Sequence, residues 1–226
     1  MQLHNDTIDL LKNFALINPS IAFAPGNELQ TIAPSKIILA KAKIKDSFPT
    51  TGAIYDLSRF LGVVSLFEKP KFEFTETQVV IKGVTQTVNY TFADPSMILT
   101  PPSDKDLTID NPDINLDIPG PKITAVLKAA AVMQLPEIVL MCDGSAVYLQ
   151  ALDSQNPSSD DYKQELDCDN QTTHFKIIFG TENFKMMPYD YNVKIKSQIS
   201  QFTCLSDTRP GLIYWVAAKA NSTFGE

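Results

Sequence analysis

Lys12 and Lys128 are the residues whose placement points most directly to chemistry, and that chemistry is electrostatic. Each stands at the centre of the polar side of a short apolar-periodic segment, where an ammonium on a flexible stem can meet a phosphate oxygen without fixing its geometry. Lys12 lies in Leu10-Leu11-Lys12-Asn13-Phe14, followed by Ile21-Ala22-Phe23 and a turn at Gly26. Lys128 lies in Val126-Leu127-Lys128-Ala129-Ala130, followed by Ile138-Val139-Leu140 and a turn at Cys142-Asp143-Gly144. Helix, strand and turn recur at an almost constant offset, and a duplicated cation on a duplicated unit suggests a symmetric binding surface.

Bond-making chemistry finds no comparable constellation. Cys168 and His174 have no third partner, and no GxSxG, Walker or GxGxxG pattern occurs. Asp113-Ile114-Asn115-Leu116-Asp117 begins like a calcium loop, yet Ile118 stands where glycine is required and Thr124 where glutamate is required. Asp160-Asp161 and Asp167-Cys168-Asp169 offer carboxylates for a metal, but a solvated acidic loop accounts for them better. The three cysteines, Cys142, Cys168 and Cys204, form no CxxC pair, and the chain has only two histidines. Neither a disulfide framework nor a zinc site is expected, and no cofactor, metal or catalytic residue is assigned.

The elements that must position the cations are legible as amphipathic helices. Over residues 6–18, Leu10, Leu11, Phe14, Ala15 and Ile17 share one face with Lys12 opposite. Over residues 122–133, Ile123, Val126, Leu127, Ala130 and Met133 share a face with Lys128 opposite. Leu57, Phe60, Leu61 and Val64 form a third stripe, from which Arg59 points away. The segment Ala53 to Phe60 is mirrored by Lys176 to Phe184, which predicts a strand running into a short helix in both halves. The expected order is helix, strands, helix, strands, twice over.

With 226 residues and 44% hydrophobic content the chain is large enough for two domains, each with its own core. No run is long and apolar enough to span a bilayer, and the polar start Met1-Gln2-Leu3-His4-Asn5-Asp6 is unlike a signal peptide, so a cytoplasmic protein without membrane partners is expected. The net charge of -7 argues against nucleic acid on average. The acids, however, crowd into Asp104 to Asp117 and Asp153 to Asp169, leaving the helices locally positive.

Islands spread along the chain in constant order carry a family resemblance. Asp6-Thr7, Leu10-Leu11-Lys12-Asn13-Phe14-Ala15 and Ile17-Asn18, with Ala53-Ile54-Tyr55-Asp56-Leu57, Phe60-Leu61-Gly62 and Ser65-Leu66, resemble the DNA polymerase sliding clamp of T-even-type bacteriophages. Ala93-Asp94-Pro95-Ser96, Lys185-Met186, Pro188, Tyr214, Val216-Ala217 and Ser222-Thr223 continue the match. It weakens between Phe67 and Tyr90 and from Asp153 to Thr173, and His4 and Asn5 stand where the family tends to carry a lysine.

The resemblance implies an α+β fold of two similar clamp domains, residues 1–105 and 106–226, with helices on the inner face and antiparallel sheets outside. A connector begins near Ala93. It further implies a homotrimeric ring that encircles double-stranded DNA without reading sequence, tethers the phage DNA polymerase, is opened by a clamp-loader ATPase and supports late-transcription factors in the infected host's cytoplasm. Such a protein is not an enzyme. Lys12, Arg59 and Lys128, with Lys122 and Lys185 as weaker candidates, would face the DNA. Ile98, Leu99 and Trp215 would receive a partner's peptide tail. The competing readings are a β-rich phage structural or assembly protein and, more remotely, a metal-dependent hydrolase.

Ring closure converts exposed strand edges into continuous sheet. The alternating segments Val79 to Val84 and Val193 to Phe202 could serve in a head-to-tail contact, but which strands lie at the edge is not readable from the pattern.

Overall fold

The structure, a computed structural model, describes the chain except residues 103–106, 157, 169–172, 210 and 226. It divides into two compact units, Met1–Lys105 and Asp106–Glu226. The first runs α1 (Asn5–Ile17), β1 (Ile21–Phe23), β2 (Gly26–Ile32), β3 (Ile38–Phe48), β4 (Gly52–Ile54), α2 (Leu57–Val64), β5 (Lys71–Phe74), β6 (Gln78–Lys82) and β7 (Thr87–Thr91). The pairings β1–β4, β2–β3, β5–β6 and β6–β7 are all antiparallel.

Helix α1 buries Thr7, Leu10, Leu11, Asn13, Phe14 and Ile17 against α2, β2 and β3. Fully burying side chains such as Leu10, Phe14 and Ile17 contributes about 1.5–3 kcal/mol each, which holds a helix of this length that would be marginal alone. The imidazole Nδ1 of His4 accepts from the Asp6 N–H at 3.2 Å and so caps the first turn. At the other end Asn18 turns extended, and its amide donates to Ile32 O at 2.9 Å. Nearby, Phe23 lies 4.4 Å from Phe48, 6.0 Å from Phe74 and 5.8 Å from Phe92, centroid to centroid. A Cβ on Gly52 would enter the Phe23 ring, so this aromatic cluster requires glycine on β4.

The second unit runs β8 (Ile114–Ile118), α3 (Gly120–Met133), β9 (Glu137–Cys142), β10 (Val147–Leu152), β11 (Tyr162–Leu166), β12 (Phe175–Gly180), β13 (Tyr191–Lys196), β14 (Ile199–Cys204), β15 (Ile213–Ala217) and β16 (Thr223–Phe224). One antiparallel sheet has the order β11-β10-β9-β12-β16, and β8, β13, β14 and β15 follow one another in a second. Phe179 of the first and Phe202 of the second meet at 6.1 Å, with Phe184 5.2 Å from Phe179. Helix α3 packs over β9, β10 and β11. The α+β class with antiparallel sheets is as the sequence indicated.

One expectation changes, and two open points are settled. The mirrored strand is present as β12, but only a 3-10 turn, Thr181–Asn183, follows it in place of a second helix. Thr181 is pinned by its N–H to Pro136 O at 3.0 Å and its hydroxyl to Leu135 O at 2.9 Å. Pro188 then disfavours helical geometry at Met187, leaving too few residues for stable turns. The segments that could have served as sheet edges are interior: β6 lies between β5 and β7, and β13 and β14 are each paired on both sides. Their period-two pattern shows one-sided burial, which central strands of a sandwich share with edges. Finally, the run from Asp113 to Asp117, already excluded as a calcium loop by Ile118 and Thr124, is strand from Ile114 onward, with Ile114, Leu116 and Ile118 of β8 buried in register with β13.

Candidate nucleic-acid interface

The cation-bearing helices are built on one register. Leu10 and Val126, Phe14 and Ala130, Lys12 and Lys128, and the C-caps Asn18 and Gln134 are all separated by 116 residues. Leu10, Phe14, Val126 and Ala130 are buried, so the lysines are driven to the opposite side in both copies. Ala15, Leu127 and Met133, expected on the buried stripes, are half-buried at their margins, as is Leu61 on α2.

Lys12 is exposed, and its Nζ donates to Asp9 Oδ1 at 3.0 Å across one helical turn. Lys128 is exposed and, among the described residues, forms no ion pair. Lys122, in the first turn of α3, is half-buried and donates to the Glu165 backbone oxygen at 3.1 Å, tying the helix to β11. Lys185 is half-buried beyond the 3-10 turn. Lys12 and Arg59 share the first unit, where α1 packs on α2, whereas Lys122, Lys128 and Lys185 belong to the second.

Arg59 owes its position to the start of α2. Asp56 caps that helix by accepting from the Arg59 backbone N–H at 2.8 Å, leaving the guanidinium exposed. Tyr90 of β7 donates its hydroxyl to Asp56 O at 3.2 Å and lies edge-on to Phe60 at 5.1 Å. Partial burial, then the nearby Asp56 carboxylate, push the Tyr90 phenol above its ordinary value, so it stays a neutral donor. The opening of α1, by contrast, is acidic and internally engaged. His4 spends a ring nitrogen on capping, and the Asp6 carboxylate meets Lys45 Nζ at 2.8 Å.

Helix α3 carries two lysines and no acid over its 14 residues, and lacks a side-chain cap from Pro119. Asp190 substitutes, accepting the Gly120 N–H at 2.7 Å, and a Cβ on Gly120 would lie 2.7 Å from the Tyr189 carbonyl. Asp9, which the helical wheel places on the same face as Lys12, is thus its ion partner, and the signal missed in sequence was Asp190, whose capping role is long-range.

The residues expected to receive a peptide are differently placed. Ile98 is buried after a 3-10 turn at Pro95–Met97, and Leu99 beside it is 40% exposed. Trp215 on β15 is 7% exposed, and its indole N–H donates to Leu107 O at 2.8 Å. Among the described residues no group of three or more His, Cys, Asp or Glu gathers as a metal site; Asp169 of the Asp167-Cys168-Asp169 run lies outside them, as do residues 103–106 of the connector. No described helix is long and apolar enough to cross a membrane.

The chain is similar to known proteins over nearly its whole length. The DNA polymerase processivity factor family model matches residues 4–100. The sliding clamp of Vibrio phage KVP40 is 30% identical over 225 residues, covering 97% of this chain and all of that protein. The sliding clamp of Enterobacteria phage T4 is 27% identical over 230 residues, covering 99% of both. Among solved structures, A. fulgidus PCNA, bound to the C-terminal region of FEN-1, superposes with a TM-score of 0.73 at 10% identity over 98% of each chain. A Helicobacter pylori beta clamp gives 0.71 at 12% identity over 97% of this chain and 65% of the other. The fold is thus that of the clamps, and the full-length match to the Vibrio phage protein places the chain in the family of T4-like phage sliding clamps, processivity factors of DNA polymerase.

Proposed function

We propose that three copies of this chain close into a ring around duplex DNA and hold the phage polymerase at the primer end, with Lys12, Arg59 and Lys128 facing the duplex. The observation that carries this reading is the shared register of α1 and α3, which repeats an exposed lysine over a buried apolar stripe within one chain. Lys122 and Lys185 add positive potential from half-buried positions. Mobile point charges centre a polyanion without gripping it, so topology rather than affinity retains the ring. The net charge of -7 disfavours DNA on other surfaces.

Ring closure uses the strand edges that each unit leaves open. Strand β7 ends the sheet β5-β6-β7, and β11 ends the sheet of the second unit. Adding β7 of one copy to β11 of the next is a head-to-tail contact that closes by rotation. Partner peptides are assigned to Ile98 and Leu99 in the first unit and to Trp215 in the second. Opening by a loader ATPase, contact with late-transcription factors, action in the host cytoplasm and the lack of catalytic activity of its own complete the proposal.

The test is solution mass combined with DNA retention. A trimer that a loader places on circular DNA, and that is lost when the circle is linearised, is the expected result. A monomer, or retention indifferent to linearisation, overturns it.

A further inference from the structure

The two lysine-bearing helices share a buried stripe and an exposed lysine and differ in charge at two matching positions, Asp6 against Lys122 and, beside the shared lysine, Asp9 against Ala125. Leu10 and Val126, Phe14 and Ala130, and Lys12 and Lys128 occupy matching sites, but Asp9 of α1 is matched, at the same separation, by Ala125 of α3. Asp9 sits three residues before Lys12 on the exposed side and holds its ammonium at 3.0 Å. Lys128 has no such partner among the described residues. One turn beyond each lysine the same face is apolar, with Leu16 64% and Val132 83% exposed, so neither helix offers a second cation there.

We infer that Asp9 attenuates the first unit's hold on the phosphate backbone, so that a duplex is gripped chiefly through Lys128, with one strong and one weakened lysine contact per chain. The inference rests on the proposed DNA-facing role of α1 and α3. A phosphate approaching Lys12 must displace a carboxylate already bound to it and also meets that carboxylate's repulsion. At Lys128 it displaces only water and counterions. The whole of α1 carries Asp6, Asp9 and Lys12, and α3 carries Lys122 and Lys128 without an acid, so the wider fields of the two helices differ in the same direction. The benefit is a weaker total grip: a ring with every lysine unpaired would bind more phosphates and slide less freely.

The experiment measures binding of a short blunt-ended fluorescent duplex by anisotropy across a salt series, using the intact protein and five variants. Lys128→Ala is expected to weaken binding several-fold more than Lys12→Ala. Asp9→Ala should tighten binding and steepen the slope of log affinity against log salt, by up to about 3 for three regained contacts per ring at roughly 0.9 each. Ala125→Asp should do the reverse, approaching Lys128→Ala. Equal effects of the two lysine variants, or an Asp9→Ala protein with the parent slope, overturn the inference. The Lys12→Ala/Lys128→Ala double variant separates the two levels: if it binds as the parent does, the DNA-facing assignment itself falls. Because Asp9 is exposed, its variant keeps the test valid even should Ala125→Asp, at a half-buried site, fail to fold.

Discussion

Glu137 and Lys219, 82 residues apart in the second unit's sequence, meet at 2.7 Å where β9 begins. The Glu137 carboxylate is almost wholly buried and also accepts from the Ser154 N–H at 3.0 Å. Burial alone would raise its pKa, but the bond from Lys219 and those from Ser154 outweigh it and hold the carboxyl below its ordinary value of 4.5. Lys219 in turn donates its backbone N–H to Ile178 O at 2.7 Å, so the pair ties the chain beyond β15 to β9 and β12.

The pair predicts an acid-sensitive second unit. With a folded pKa lower than the unfolded one, its stabilisation is complete above about 4.5 and is lost as pH falls through the folded value. Glu137→Gln should cost about 2 kcal/mol at neutral pH and flatten the pH dependence of urea unfolding in the acid range. An unchanged acid limb in that variant would assign the sensitivity elsewhere.

Gly120→Ala tests how α3 is seated. The added Cβ would press on the Tyr189 backbone, which cannot swing aside as a side chain can, so a loss of about 2 kcal/mol is expected. Asp190→Ala removes the acceptor for the Gly120 N–H and should cost about 1 kcal/mol. Both are read by thermal unfolding.

Gln134→Gly should stabilise the protein. Gln134 ends α3 with φ at +57°, in the left-handed region where a side chain is strained and glycine is not. A gain of about 1 kcal/mol in unfolding free energy is expected, with DNA binding unaltered.

Reversing charge at both helices, Lys12→Glu with Lys128→Glu, should lower loading on DNA by on the order of tenfold or more at physiological salt while leaving trimer mass intact. Loading at the parent rate would remove these residues from the DNA-facing surface.

Leu99→Asp and Trp215→Phe separate binding from packing. Leu99 is exposed, so its variant should lose partner-peptide affinity without losing stability. Trp215→Phe strands the Leu107 carbonyl and should cost about 1 kcal/mol. If peptide affinity falls only in proportion to that stability loss, Trp215 is core alone.

What could be read from sequence was local and periodic. The stripes through Leu10, Phe14 and Ile17 and through Ile123, Val126 and Ala130 fixed both helices and sent Lys12 and Lys128 outward, because burial at a 3.6-residue period needs no tertiary information. The helix expected after β12 failed because Thr181 is held by Leu135 and Pro136, contacts some 45 residues away that no local pattern encodes. Edge strands were unreadable for a related reason: Val79 and Ile81 alternate as an edge strand would, yet β6 is flanked on both sides. The Asp9–Lys12 pair was within reach of a helix wheel, but its meaning emerged only when Ala125 was found in the matching place.

The 3-10 turn at Thr181–Asn183 gives the second unit a different helix inventory from the first, which has α2 and Arg59 at the corresponding stage. In a closed ring of three copies, a duplex turning about its axis would therefore meet a landscape whose period is a third of a revolution and not a sixth. In the proposed ring, three equivalent positions would not all match the screw of B-form DNA at once, and that mismatch would lower the friction of sliding.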